Sequence, residues 1–133
     1  PDSRMIGTAT IPGYRLMFKG SKTGSYLTIE EAPGHEVPVG VWEVSTRDEK
    51  ALDRYEGYPS FYYKKEIVLP ITGIRSGKVR RRKVFVYIMH EDRQLGIPTN
   101  FYMRTCMEGY YNFGFDYEYL LHAYEYSKEG TQE

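Results

Sequence analysis

The chain has 133 residues, most simply one domain, with 18 acidic and 18 basic side chains in balance. That balance argues against a polyanion as partner, the single cysteine, Cys106, excludes an internal disulfide, and no apolar run reaches membrane-spanning length. No secretory pattern opens the chain, so a cytoplasmic protein is expected, with no membrane and no nucleic acid as partner. The compositional outlier is tyrosine, 14 residues against six phenylalanines and one tryptophan. Tyrosine buries a large ring yet needs a partner for its hydroxyl, which suits either half-buried sheet edges or a cavity lined by phenols.

The first half of the chain reads as strands. GYRLMFKG carries β-type residues between glycines, and SYLTIEEAPG alternates before a Pro-Gly turn. GSKTGS between them lacks P-loop spacing and reads as a hairpin loop. In HEVPVGVWEVS, Val37, Val39 and Val41 share one face and Trp42 with Val44 the other; Pro38 and Gly40 point to an edge or bulge. STRDEKALDRYEG then reads as a short helix, capped by Ser45 or Thr46, with Ala51, Leu52 and Tyr55 as its apolar stripe and Gly57 closing it in a left-handed conformation.

FYYKKEIVLPIT and RRKVFVYIMH flank a Ser-Gly hairpin turn, and the uninterrupted VFVYIM predicts a central strand buried on both faces. A polar loop follows. The next helix, capped by Thr99 or Asn100, carries Tyr102, Cys106 and Tyr110 at i, i+4, i+8. A last helix, capped by Asp116, is expected to pack through Leu120, Leu121 and Tyr124, with a frayed tail from Lys128. The expected fold is α+β: a small mixed sheet of about five strands, one short inserted helix and two C-terminal helices.

Three histidines, His35, His90 and His122, are far apart and lack metal-ligand spacing, so neither metal nor cofactor is expected. The basic cluster Arg75, Lys78, Arg80, Arg81, Arg82 and Lys83 reads better as a solvated hairpin that discourages edge pairing than as a phosphate grip. Cys106 reads as a buried, inert thiol. Glu56 stands out. It falls at the end of its helix, where the macrodipole disfavours negative charge, and aromatic rings follow closely in the chain. Both effects raise a carboxyl pKa toward the range useful for proton transfer.

LDRYEGYPSFYY resembles the helix-end signature of the gamma-glutamyl cyclotransferase-like family, Leu-Asp-x-x-Glu-Gly with a tyrosine seven residues after the glutamate. APGHEVPVGVWEVS, VFVYIM and PTNFYMRTCMEGYYNFGFDYEYLL resemble further family segments, in the family's order, from about Gly13 to Tyr124. The resemblance implies a barrel-like sheet with a cavity at one end. It implies that Glu56 is the catalytic acid–base, that Tyr63, Tyr87 and Tyr102 lie near a cavity for a small gamma-glutamyl molecule, and that Tyr62 is an equally good neighbour for the role of Tyr63.

The implied reaction releases 5-oxoproline without metal or cofactor from a gamma-glutamyl amine, peptide or acylated small molecule. The family's Tyr-Gly-Ser substrate loop is not found in the sequence. PDSRMIGTATIPGYRL resembles what normally follows that loop, so a strand-and-loop piece of about twenty residues is expected upstream of Pro1. The rival is a non-catalytic small-molecule binding domain on the same scaffold, which could tolerate loss of Glu56.

Overall fold

The computed structural model describes residues 4–21 and 24–131. Pro1 to Ser3, Lys22 and Thr23 of GSKTGS, and the final Gln132 and Glu133 lie outside the described residues. The elements are β1 (Arg4–Ser21), β2 (Gly24–Glu43), α1 (Thr46–Tyr55), β3 (Tyr62–Gly73), β4 (Val79–Met89), β5 (Gln94–Leu95), α2 (Asn100–Phe113) and α3 (Glu118–Gly130). Strand order in the five-stranded sheet is β2-β1-β3-β4, with β5 on β1. The registered pairs of β1 with β3 and β5, and of β3 with β4, are antiparallel. The α+β class and its helix complement are as the sequence predicts.

Several local expectations change. The Pro33-Gly34 pair does not end a strand: β2 continues through it, and Gly34 takes φ 84° without a break. A glycine with positive φ can serve a bulge as well as a turn, and here the alternation on both sides lets the strand resume. β4 is not central. Among the described residues it pairs with β3 alone and ends the strand order; only Ile88 and Met89 are fully buried in it. An uninterrupted apolar run reports what covers a strand's faces, not how many neighbours flank its edges. Pro38 and Gly40 do mark an edge, because β2 ends the order on the other side.

The chain forms two compact units. The first comprises Pro1–Ile11 and Pro38–His90. Its core is Ile11, Val41, Tyr62, Leu69, Ile71, Ile88 and Met89. The β3–β4 ladder runs unbroken from Tyr62↔Met89 to Thr72↔Val79. Gly7 of β1 pairs with Gly73 of β3, and a Cβ there would lie 2.2 Å from the Thr72 carbonyl oxygen, so only glycine permits this approach.

The second unit comprises Pro12–Val37 and Glu91–Glu133. Leu16, Met17, Phe18, Ile29 and Val37 form its core with Tyr110, Leu120 and Ala123 from the helices. Thr99 caps α2 by accepting the Tyr102 N–H at 3.1 Å, and Gly114 closes it at φ 72°. Asp116 precedes α3 and accepts the Glu118 N–H at 2.9 Å. The buried face of α3 is Leu120, Ala123 and Ser127, whereas Leu121, expected inside, is exposed. Ser127 is at home there because its hydroxyl donates to the Ala123 carbonyl at 2.8 Å and accepts the Phe18 N–H at 2.9 Å. The helix also continues through Lys128, where a frayed tail was expected.

Candidate active site

The site in the first unit is built on the C-terminal half of α1 and the start of the β3–β4 ladder. Ser45 caps α1 through the Asp48 N–H, 3.1 Å away. At the other end Glu56 is the C-cap, its N–H donating to the Leu52 carbonyl at 2.8 Å. Gly57 follows at φ 68°. The Tyr58 N–H reaches back to the Asp53 carbonyl at 2.8 Å and the Gly57 N–H to the Arg54 carbonyl at 3.2 Å. This is the Schellman arrangement, which requires the left-handed residue that glycine supplies at Gly57. It fixes where the Glu56 side chain leaves the helix.

No residue of α1 is fully buried. Its expected apolar stripe is not its inner face: Tyr55 is 85 % exposed and Ala51 is exposed, leaving Leu52 half-buried. The half-buried positions also include Glu49, Asp53 and Glu56, a carboxylate row at i, i+4 and i+7. This row meets one ammonium. Lys64 Nζ lies 2.7 Å from Glu49 and 3.0 Å from Asp53, and it sits over the Tyr58 ring at 4.6 Å. Tyr87 completes the network by donating its hydroxyl to Asp53 at 2.6 Å. The ladder explains the meeting. Lys64 is directly opposite Tyr87, so both side chains leave the same face.

The electrostatics follow from this geometry. The Tyr87 bond, aided by Lys64, holds the Asp53 carboxyl below the usual carboxylate range against the opposing effect of burial. Glu49 and Asp53 raise the Lys64 pKa, keeping it charged. Burial, Asp53, Glu49 and Glu56 together push the Tyr87 phenol well up, so it stays protonated. Glu56 is half-buried, and burial raises its carboxyl above the ordinary value.

The four tyrosine and glutamate positions implied by the resemblance are thus distributed unevenly. Glu56 and Tyr87 share one electrostatic neighbourhood. Tyr63 pairs with Ile88, one step out of phase with Tyr87, and so leaves the opposite face of the ladder; its ring lies 5.2 Å from that of His90. Tyr62 has the parity of Tyr87 and is buried. Tyr102 belongs to the second unit, where its hydroxyl accepts the Leu27 N–H at 3.1 Å and its ring meets Tyr26 and Phe18 edge-on.

A cavity of about 420 Å³ in the first unit is lined by apolar residues of the sheet together with Glu49, Leu52 and Tyr87 and the charged Glu43, Arg82 and Lys83; Glu56 and Tyr63 are not in its lining. In the second unit Cys106, expected to be buried, is half-buried; burial raises its thiol pKa, opposed by a Tyr102 hydrogen bond. Among the described residues no three His, Cys, Asp or Glu side chains are grouped to hold a metal ion. No helix of the described residues is long and apolar enough to cross a membrane.

In the sequence Lys64 carries no signal, Glu49 none beyond that of an acid in a capping-box pattern, and Asp53 stands only as a letter of the signature. The spacing of the three carboxylates was visible, but such a row usually faces water. What turns it inward is a lysine on a strand whose register the sequence did not disclose.

The sequence matches the gamma-glutamyl cyclotransferase, AIG2-like family over residues 2–109. Among solved structures, the uncharacterized protein loc79017 from Homo sapiens is similar at 25 % identity with a TM-score of 0.74, covering 96 % of this chain and 75 % of that one. A structure named gamma-glutamyl cyclotransferase superposes with a TM-score of 0.76 at 22 % identity, again covering 96 % of this chain and 75 % of that one. A solution structure from Arabidopsis thaliana is more distant, at 16 % identity and a TM-score of 0.52 over 80 % of this chain and 67 % of the other. A search of the curated proteins finds no match. With the family's sequence pattern spanning most of its length and the fold shared with these structures, the chain belongs to the gamma-glutamyl cyclotransferase, AIG2-like family.

Proposed function

We propose that the protein is an enzyme that releases 5-oxoproline from a small gamma-glutamyl amine or peptide, with Glu56 as the proton carrier. The substrate's α-amine attacks its own γ-carbonyl carbon. A new C–N bond closes the five-membered ring, the old C–N bond to the leaving amine breaks, and no metal, cofactor or oxidant enters the balance. Two proton movements remain. The α-ammonium must lose a proton before it can attack, and the departing nitrogen must gain one. A single carboxyl whose pKa lies above the ordinary range can do both in turn.

The observation that carries this reading is the half-buried Glu56 at the helix end, with its pKa raised by burial, beside Tyr87 and the Asp53–Lys64 network. Desolvation makes the glutamate a poorer permanent anion and therefore a better carrier. The substrate-cavity roles of Tyr63 and Tyr102 rest on the family resemblance alone.

The test is 5-oxoproline release from a panel of gamma-glutamyl amines and dipeptides. Glu56→Gln keeps the shape, removes the titration and is expected to lower kcat by about a hundred- to ten-thousand-fold. In the parent, kcat/KM should rise with pH through a limb set above the ordinary carboxylate value, because the base form must accept the proton. Near-parental release by Glu56→Gln would refute the assignment. A binding domain without catalysis would retain ligands and release no 5-oxoproline from any member of the panel.

A further inference from the structure

We propose that Asp53 is a positioning residue that makes Tyr87 a hydrogen-bond acceptor for the substrate's α-ammonium. The inference rests on the function proposed above and adds a direction to one hydrogen bond. A phenol has one proton to give and two lone pairs to offer. At 2.6 Å from Asp53, the Tyr87 oxygen gives that proton to the carboxylate. The reverse arrangement is excluded by charge. Asp53 is also within 3.0 Å of the Lys64 ammonium and stays ionised, so it has no proton to donate.

Tyr87 lines the cavity, and the lone pairs left on its oxygen can act toward a ligand there as acceptors only. Such an oxygen cannot donate to an oxyanion developing on the γ-carbonyl. It can accept from an N–H, and the donor that every gamma-glutamyl substrate presents is its α-ammonium. The surrounding charge agrees. Glu49 and Asp53 of α1 and its cap Glu56 stand near Tyr87, with Lys64 from β3 offsetting them and the uncharged Phe85 alongside, while the two cations that also line the cavity, Arg82 and Lys83, are paired with Glu43 and Glu66. A cation arriving there is favoured and an anion is not. Lys64 has the complementary task. Bridging Glu49 and Asp53, it holds the Asp53 carboxylate against Tyr87 and keeps it ionised.

The experiment compares Asp53→Ala and Asp53→Asn with the parent by two readouts. The first needs no turnover: the Cζ resonance of Tyr87 in ¹³C-labelled tyrosine, identified by its absence in Tyr87→Phe. In Asp53→Ala the resonance should shift and its titration move to lower pH, since the carboxylate that disfavours the phenolate is gone. The second is steady-state kinetics with a competitive glutaryl analogue that lacks the α-amine. Asp53→Ala should raise KM for the gamma-glutamyl substrate about tenfold, the scale of one charge-assisted hydrogen bond, while inhibition by the analogue stays unchanged.

Asp53→Asn keeps an oxygen that can accept the Tyr87 proton, and it should recover most of the lost KM. An unmoved Tyr87 resonance in Asp53→Ala overturns the inference whatever the activity. So does a rise in the substrate's KM matched by an equal weakening of inhibition by the analogue, which would mark a general loss of shape. A parent inactive on every gamma-glutamyl compound, with the resonance shift intact, instead removes the proposed reaction and the ammonium role with it, leaving the Asp53–Tyr87 bond as structure.

Discussion

Helices α1 and α3 solve opposite problems. α3 buries Leu120, Ala123 and Ser127 completely, and even its one buried hydroxyl is satisfied by two hydrogen bonds. α1 buries nothing completely and turns three carboxylates toward the interior of its unit. Hydrophobic burial can hold α3 in place. It contributes little to α1, which depends on a serine cap, a glycine closure and the lysine that bridges two of its acids. A helix held by its ends and by charges is a costly way to build stability, because buried or half-buried ions must recover what desolvation takes. It suits the role proposed for Glu56, whose carboxyl pKa burial raises.

Three substitutions would break or sharpen this contrast when measured by the same chemical denaturation. Leu120→Ala should cost the most, about 2–5 kcal/mol, because a fully buried leucine leaves a cavity that the unit fills only in part. A loss below 1 kcal/mol would show that α3 is not packed as described. Gly57→Ala comes next, at about 1–2 kcal/mol, since alanine must adopt φ 68° to keep the helix closure. If Gly57→Ala were neutral, the closure would not be what fixes Glu56.

Glu56→Gln should have the smallest effect, and of the opposite sign. A carboxyl whose folded pKa is raised adds its full share of stability below its unfolded pKa and loses it as pH rises through the folded value. The glutamine variant lacks that loss, so it should be as stable as the parent in acid and more stable at neutral pH. A parent that instead gains on the variant as pH rises would mean that Glu56 is stabilised as an anion, and its role as carrier would go with it.

Much of this molecule was readable along the chain. Ser45, Thr99 and Gly57 announce helix ends because capping is local, a matter of one side chain and a few N–H groups. The inward valines of β2 and the Tyr102–Cys106–Tyr110 row follow from period alone. The failures share another cause. Leu121 was placed inside and Ala123 and Ser127 were overlooked because a helix's rotation depends on what it packs against, and a serine is acceptable in a core only if a distant N–H, here that of Phe18, arrives to meet it. The family resemblance puts Tyr63 and Tyr87 near one cavity, and only the register of the ladder shows that their side chains leave opposite faces.

The sequence alone determined the three helices, the glycine that closes α1 and the glutamate at its end, since each of these rests on neighbours within a turn or two of chain, and the order of its motifs pointed to the family. Only the tertiary structure decided which face of α1 turns inward, that Lys64 stands opposite Tyr87, and that Asp53 receives the phenol's proton. Those depend on strand register, and register is set by long-range pairing in which a shift of one residue would exchange every side chain for its neighbour.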